Sequence, residues 1–203
     1  MAEMRIDGWL VNLDPNISSF RSEYYFVAEV TLQQEQDFRA AVRAAGGKVL
    51  ERIPSSQDRG EGKIYLYHSP GGNPLFAGSM PFQDGWKFPP TLLGQNPGVQ
   101  GLSFREAGVD AGVTALPVQR VRIDLHATAD VDAVVAAILD AAGVARQAVT
   151  VFPAEEYTVP PNVRRVKPAS IVLVASGSAL SAISAIAGVR RISSFNTFKF
   201  ANN

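Results

Sequence analysis

The sequence predicts an α+β protein made of two related units, and three observations carry that prediction. Short β-branched and aromatic runs alternate with two longer segments in which apolar residues recur at helical spacing. Glycine follows each helical segment where a helix would stop. Between the two regular parts lies a long stretch crowded with glycine and proline.

In the first unit, residues 1–68, "YYFVAEV" (24–30) reads as a buried strand. Thr31 with Gln34 has the pattern of a capping box, and Leu32, Phe38, Ala41, Val42 and Ala45 share one helical face ending at Gly46 and Gly47. "KVLERI" and "KIYLYH" follow as strands around the turn-rich "PSSQDRGEG", which makes the unit β-α-β-β. Residues 69–117 show neither period, yet Phe76, Met80, Phe82, Trp86, Phe88 and Leu92 would be costly to leave in water. This region is expected to be ordered but irregular, and Phe82, Trp86 and Phe88 are expected to pack on a neighbour or partner.

Residues 118–203 are the most regular. "VQRVRIDLHA" (118–127) sets Val121, Ile123 and Leu125 against Arg120, Arg122, Asp124 and His126, a half-exposed strand. Asp130 can cap a helix whose apolar face is Val131, Val134, Val135, Ile138 and Leu139, stopped by Gly143. "QAVTVFPAEEYTV" and "ASIVLVAS" read as strands around a turn "PPNVRRVKP"; Ser178 is expected to cap a short helix that Gly188 closes before the strand "VRRISSFNTFKF". The order β-α-β-β-α-β is that of a ferredoxin-like unit, with two helices on one face of an antiparallel sheet. The first unit repeats its strand-helix-strand-strand half.

Composition excludes several classes of function. Lys+Arg and Asp+Glu both number 19, so no global field draws the chain to nucleic acid or to an anionic membrane. The absence of cysteine removes disulfides, thiolate nucleophiles and cysteine-held metals. No stretch has the roughly 18 apolar residues of a membrane helix. A cytoplasmic or virion-borne protein is the expectation, with export only if the chain is a processed fragment.

No catalytic residue, metal ligand or cofactor site is assigned. His68 and His126 sit at strand ends without a zinc-binding pattern, and each reads as a polar edge residue. Glu155 and Glu156 are neighbours in a strand and so point to opposite faces, which prevents their acting as an acid and base pair. Arg164, Arg165, Lys167, Arg190 and Arg191 are spread by strand alternation, and the aromatic motif of an RNA-binding sheet is missing.

Residues 178–194, "SALSAISAIAGVRRISS", place an alanine-rich short helix, a glycine and a valine-led strand in succession. This resembles the closing pattern of the propeptide and inhibitor domain of subtilisin-type serine proteases, over about 80 residues. The resemblance implies a non-enzymatic inhibitor or folding helper whose sheet packs on the protease. Its tail "NTFKFANN", with Phe198, Phe200, Ala201, Asn202 and Asn203, would occupy the substrate cleft. The alternatives of a different class are a structural subunit of a phage or other large assembly, and a ferredoxin-like enzyme or RNA-binding module.

Overall fold

The computed structural model describes residues 3–6, 9–12, 21–53, 62–88, 92 and 116–195. Within them the protein is α+β, with mostly antiparallel sheets and three α-helices. A hairpin of β1 (Glu3–Ile6) and β2 (Trp9–Asn12) precedes the two main units.

The first unit runs β3 (Arg21–Thr31), α1 (Glu35–Ala44), β4 (Lys48–Ile53), β5 (Gly62–His68) and β6 (Met80–Gln83). Its sheet has the order β4-β5-β3-β6, every neighbour antiparallel. Strand β3 explains its own sequence: Phe26, Ala28 and Val30 pack with Phe38 and Val42 of α1, while Tyr25 and Val27 pack on the other face with Ile64, Leu66, Phe82 and Trp86. A strand buried on both sides needs a continuous apolar run rather than alternation. The fourth strand comes from beyond residue 68, so the unit extends into the glycine- and proline-rich region, and an irregular return over residues 69–79 joins β5 to β6.

The start of α1 differs from the expected cap. The helix begins at Glu35, and Leu32 is exposed rather than on the buried face. Half of the capping box forms nonetheless, since the Thr31 N–H donates to Gln34 Oε1 at 3.2 Å.

The second unit runs β7 (Gln119–Leu125), α2 (Val131–Ala142), β8 (Thr150–Phe152), β9 (Glu155–Val159), β10 (Val163–Lys167), β11 (Ser170–Ala175), α3 (Gly177–Ser184) and β12 (Val189–Ser194). Four of these strands form an antiparallel sheet in the order β12-β7-β11-β8. In order of appearance within each unit, both sheets have their first strand between the fourth and the third, with the second at one edge. The unit's core lies on one face of the sheet, where Val121, Ile123, Leu125, Ile171 and Leu173 meet Val134, Val135 and Ile138 of α2 and Leu180 and Ile183 of α3.

The Asp130 carboxylate accepts from the Ala133 N–H at 3.2 Å, and Gly143 takes a left-handed φ of 62°, as expected for α2. Three local expectations are corrected. Val163–Lys167 is a strand rather than part of a turn; the turn is confined to Pro160–Asn162, and β9 and β10 pair as a separate two-stranded ribbon. Ser176, not Ser178, caps α3, because its hydroxyl accepts from the Ala179 N–H. Gly188 is required for space: a Cβ there would lie 2.3 Å from Val134 Cγ2, so only glycine lets β12 start against α2.

Candidate functional site

The two units meet through polar and aromatic side chains, among them His126, which the sequence suggests is a polar edge residue. His126, at the end of β7, is 4% exposed and stacks on Tyr25 of β3, ring centroids 3.7 Å apart and planes 13° apart. Phe82 of β6 meets the same imidazole edge-on at 5.6 Å. Its Nε2 is buried without a hydrogen bond. Burial first, then the charges of Arg190, Lys87 and His68, hold the His126 pKa well below its ordinary value, so the ring is neutral at pH 7.

Arg190 and Lys87 fasten the junction. The Arg190 guanidinium donates to Glu51 Oε1 through Nε at 2.9 Å and through Nη2 at 2.5 Å, and lies 5.2 Å over the Phe82 ring. Lys87, in a short 3₁₀ turn (Asp84–Lys87), is fully buried and pairs with Asp84 at 3.0 Å. Its ammonium also donates to the carbonyls of Ser184 at 2.5 Å and Ile186 at 3.1 Å, at the C-terminal end of α3. A cation there satisfies the Ser184 carbonyl at the end of the helix and shares the Ile186 carbonyl with the Val189 N–H.

Phe82, Trp86 and Phe88 are buried by the chain itself. Phe82 and Trp86 fill the core of the first sheet, and Phe88 enters the core of the second unit. The surface they were expected to offer a partner is therefore already covered. Phe198, Phe200, Ala201, Asn202 and Asn203 lie outside the described residues.

Beside the junction lies a cleft of about 470 Å³. Tyr24, Tyr25, His68 and Pro70 line it from the first unit; Thr128, Asp130, Val134 and Gly188 are among those facing them from the second. Tyr25 stands directly opposite His68 in the sheet register, which brings those two rings to 5.3 Å. The Thr128 hydroxyl and Tyr25 hydroxyl are 3.3 Å apart and hold this wall to the second unit.

A second region is exposed rather than enclosed. Five of the eight large hydrophobic side chains exposed among the described residues fall between residues 152 and 174: Phe152, Tyr157, Val163, Val166 and Val174. Phe152 and Val174 project from the sheet on the side away from the helices, alternating with the core residues Val151 and Leu173. Arg120 pairs with Val174 in register. Tyr157, Val163 and Val166 belong to the β9–β10 ribbon.

The chain matches no family model, no curated protein and no solved structure. Among the described residues no cluster of His, Cys, Asp and Glu could hold a metal ion, and no helix is long and apolar enough to cross a membrane.

Proposed function

We propose that the chain is a non-enzymatic protein-interaction protein whose second unit is a ferredoxin-like domain. The strand order and the placing of α2 and α3 on one face support the ferredoxin-like reading. The observation that carries the interaction reading is the concentration of exposed apolar side chains on the helix-free face and the β9–β10 ribbon. Apolar surface gathered in one region of a chain favours contact with another macromolecule, whereas scattered single residues do not.

In its most concrete form the chain inhibits, or helps to fold, a subtilisin-type serine protease. The helix-free sheet face buries Phe152 and Val174 against the enzyme, and residues 198–203 lie extended in its cleft. An extended segment there gains main-chain hydrogen bonds, and alternate side chains supply selectivity. The test is hydrolysis of a chromogenic peptide by subtilisin with increasing amounts of the chain. Saturable inhibition, lost on removal of residues 198–203 while the circular dichroism is unchanged, is the expected result. Undiminished hydrolysis with digestion of the chain would sink the proposal.

The ribbon favours a second reading, a structural subunit of a phage or other large assembly. Neither of its strands pairs with the main sheets, and Tyr157, Val163 and Val166 are exposed on it. Such an arm gains buried area only by lying on a neighbour. This reading requires concentration-dependent assembly in sedimentation, abolished by replacing the three side chains with serine; a monomer at all concentrations refutes it.

A further inference from the structure

We infer that the cleft between the two units is a binding site for a small, neutral, planar heteroaromatic molecule that stacks on its ring wall and hydrogen-bonds to His68. The inference is independent of the protein-interaction reading.

The volume of about 470 Å³ lies within the range of small-molecule sites. The two walls differ in kind. One is made of rings: Tyr24 and His68 have centroids 6.4 Å apart, and Tyr25 and His68 5.3 Å apart. The other is aliphatic and mostly small, built of Ala129, Ala133, Val134, Ile186, Ala187 and Gly188. A flat ring entering such a slot meets the Tyr24 and His68 rings on one side and aliphatic groups on the other, and ring-on-ring contact adds to simple area burial.

The ring wall is held in place before any ligand arrives. His126 backs Tyr25 at 3.7 Å, and Thr128 meets the Tyr25 hydroxyl at 3.3 Å. Preorganisation of this kind lowers the entropic cost of binding.

Polar chemistry narrows the ligand further. The His68 imidazole makes ring contacts but hydrogen-bonds to no described residue. Burial lowers its pKa, so at neutral pH it offers one donor nitrogen and one acceptor nitrogen. Asp130 is the one acidic residue among the described lining residues, and its side chain already accepts from the Ala133 N–H at the start of α2. Among the described residues the lining has no lysine or arginine, so a phosphate or carboxylate would find no counter-charge there.

The test uses the full chain at neutral pH, with benzimidazole as the probe, cyclohexanol as a non-aromatic comparison and benzoate as an anionic one. Amide shifts are followed by NMR. Benzimidazole is expected to move the amides of residues 128–133 and Gly188 saturably, with cyclohexanol at least about tenfold weaker and benzoate without effect. Ala133→Trp fills the slot from an exposed helix position and removes the response; Ala187→Leu serves if that variant misfolds. His68→Phe keeps the ring wall and weakens benzimidazole about tenfold, the loss expected for one hydrogen bond. Any of three results overturns the inference: no saturable shift at millimolar benzimidazole, an equal response to cyclohexanol, or shifts that survive in the filled-slot variants. Undiminished binding to His68→Phe overturns the assignment of His68 as the polar anchor.

Discussion

The imidazole of His126 lies flat on the phenol of Tyr25, 3.7 Å between centroids, and thereby joins a strand of one sheet to a strand of the other. Among the described residues no carboxylate stabilises its protonated form: burial, Arg190, Lys87 and His68 all oppose protonation, and Phe82 closes one edge. Above pH 6.5 the ring is neutral in both the folded and the unfolded chain. Below it, the unfolded chain takes up a proton that the folded chain refuses, so stability falls as pH drops toward the depressed native pKa.

The slope reaches at most about 1.4 kcal/mol per pH unit for this one proton. Urea unfolding between pH 7.5 and 5 should therefore show a loss that sets in near the ordinary histidine pKa of about 6.5 in the wild type, and a smaller one in His126→Phe, which keeps a ring on Tyr25. His68, also lowered by burial, adds a loss of the same sign in both proteins. Equal slopes in the two proteins would show that His126 is not buried as a neutral ring.

Lys87 should be the most expensive polar side chain at the junction to replace. It bridges Asp84 to the last carbonyls of α3, and no part of it reaches solvent. Lys87→Met removes the cation from a buried carboxylate and two carbonyls, with an expected loss of about 3 kcal/mol in chemical denaturation. Asp84→Asn combined with Lys87→Met should cost less than the sum of the two single changes, because the groups act as a pair. Strict additivity would contradict the pairing.

Glu35 responds in a different pH window. Its carboxylate accepts from Lys63 at 2.8 Å, Tyr65 at 2.7 Å and Arg39 at 2.9 Å, which lowers its pKa from 4.5 to about 2. The stability this supplies is complete above pH 4.5 and is lost as pH falls toward 2. Glu35→Gln should cost about 1 kcal/mol at pH 7, discounted for the solvent-facing partners, and almost nothing at pH 2. A penalty independent of pH would mean that the side chain's shape, not its charge, is what matters.

Local order was legible in the sequence wherever one residue's chemistry decides it. Asp130 caps α2 and Gly143 ends it because a carboxylate and a left-handed backbone are local requirements. The junction was not legible. His126 continues the polar alternation of β7, and only the arrival of Tyr25 and Phe82 from the other unit turns it inward. The role of Arg190 was not legible for the same reason, since its partner Glu51 is 139 residues away. Phe82 and Trp86 carried a signal of burial, but nothing local told an internal sheet from a partner's surface. A strand as charged as Val163–Lys167 looks like a turn because no face of it is buried.

Gly188 offers the sharpest test of how the second unit closes. It was expected to work as a helix stop, yet α3 ends at Ser184 and the structure requires glycine at 188 for its missing side chain. A methyl group there would meet Val134 Cγ2 at 2.3 Å and Ala129 Cβ at 3.3 Å. Gly188→Ala should push α2 off the start of β12 and cost about 1–3 kcal/mol, the usual penalty of overpacking. Val134→Ala removes the closest atom. The double variant should therefore recover part of the loss in thermal or chemical unfolding, giving a coupling of opposite sign to the single penalties. Penalties that simply add would show that the Val134 contact is not the source of the cost.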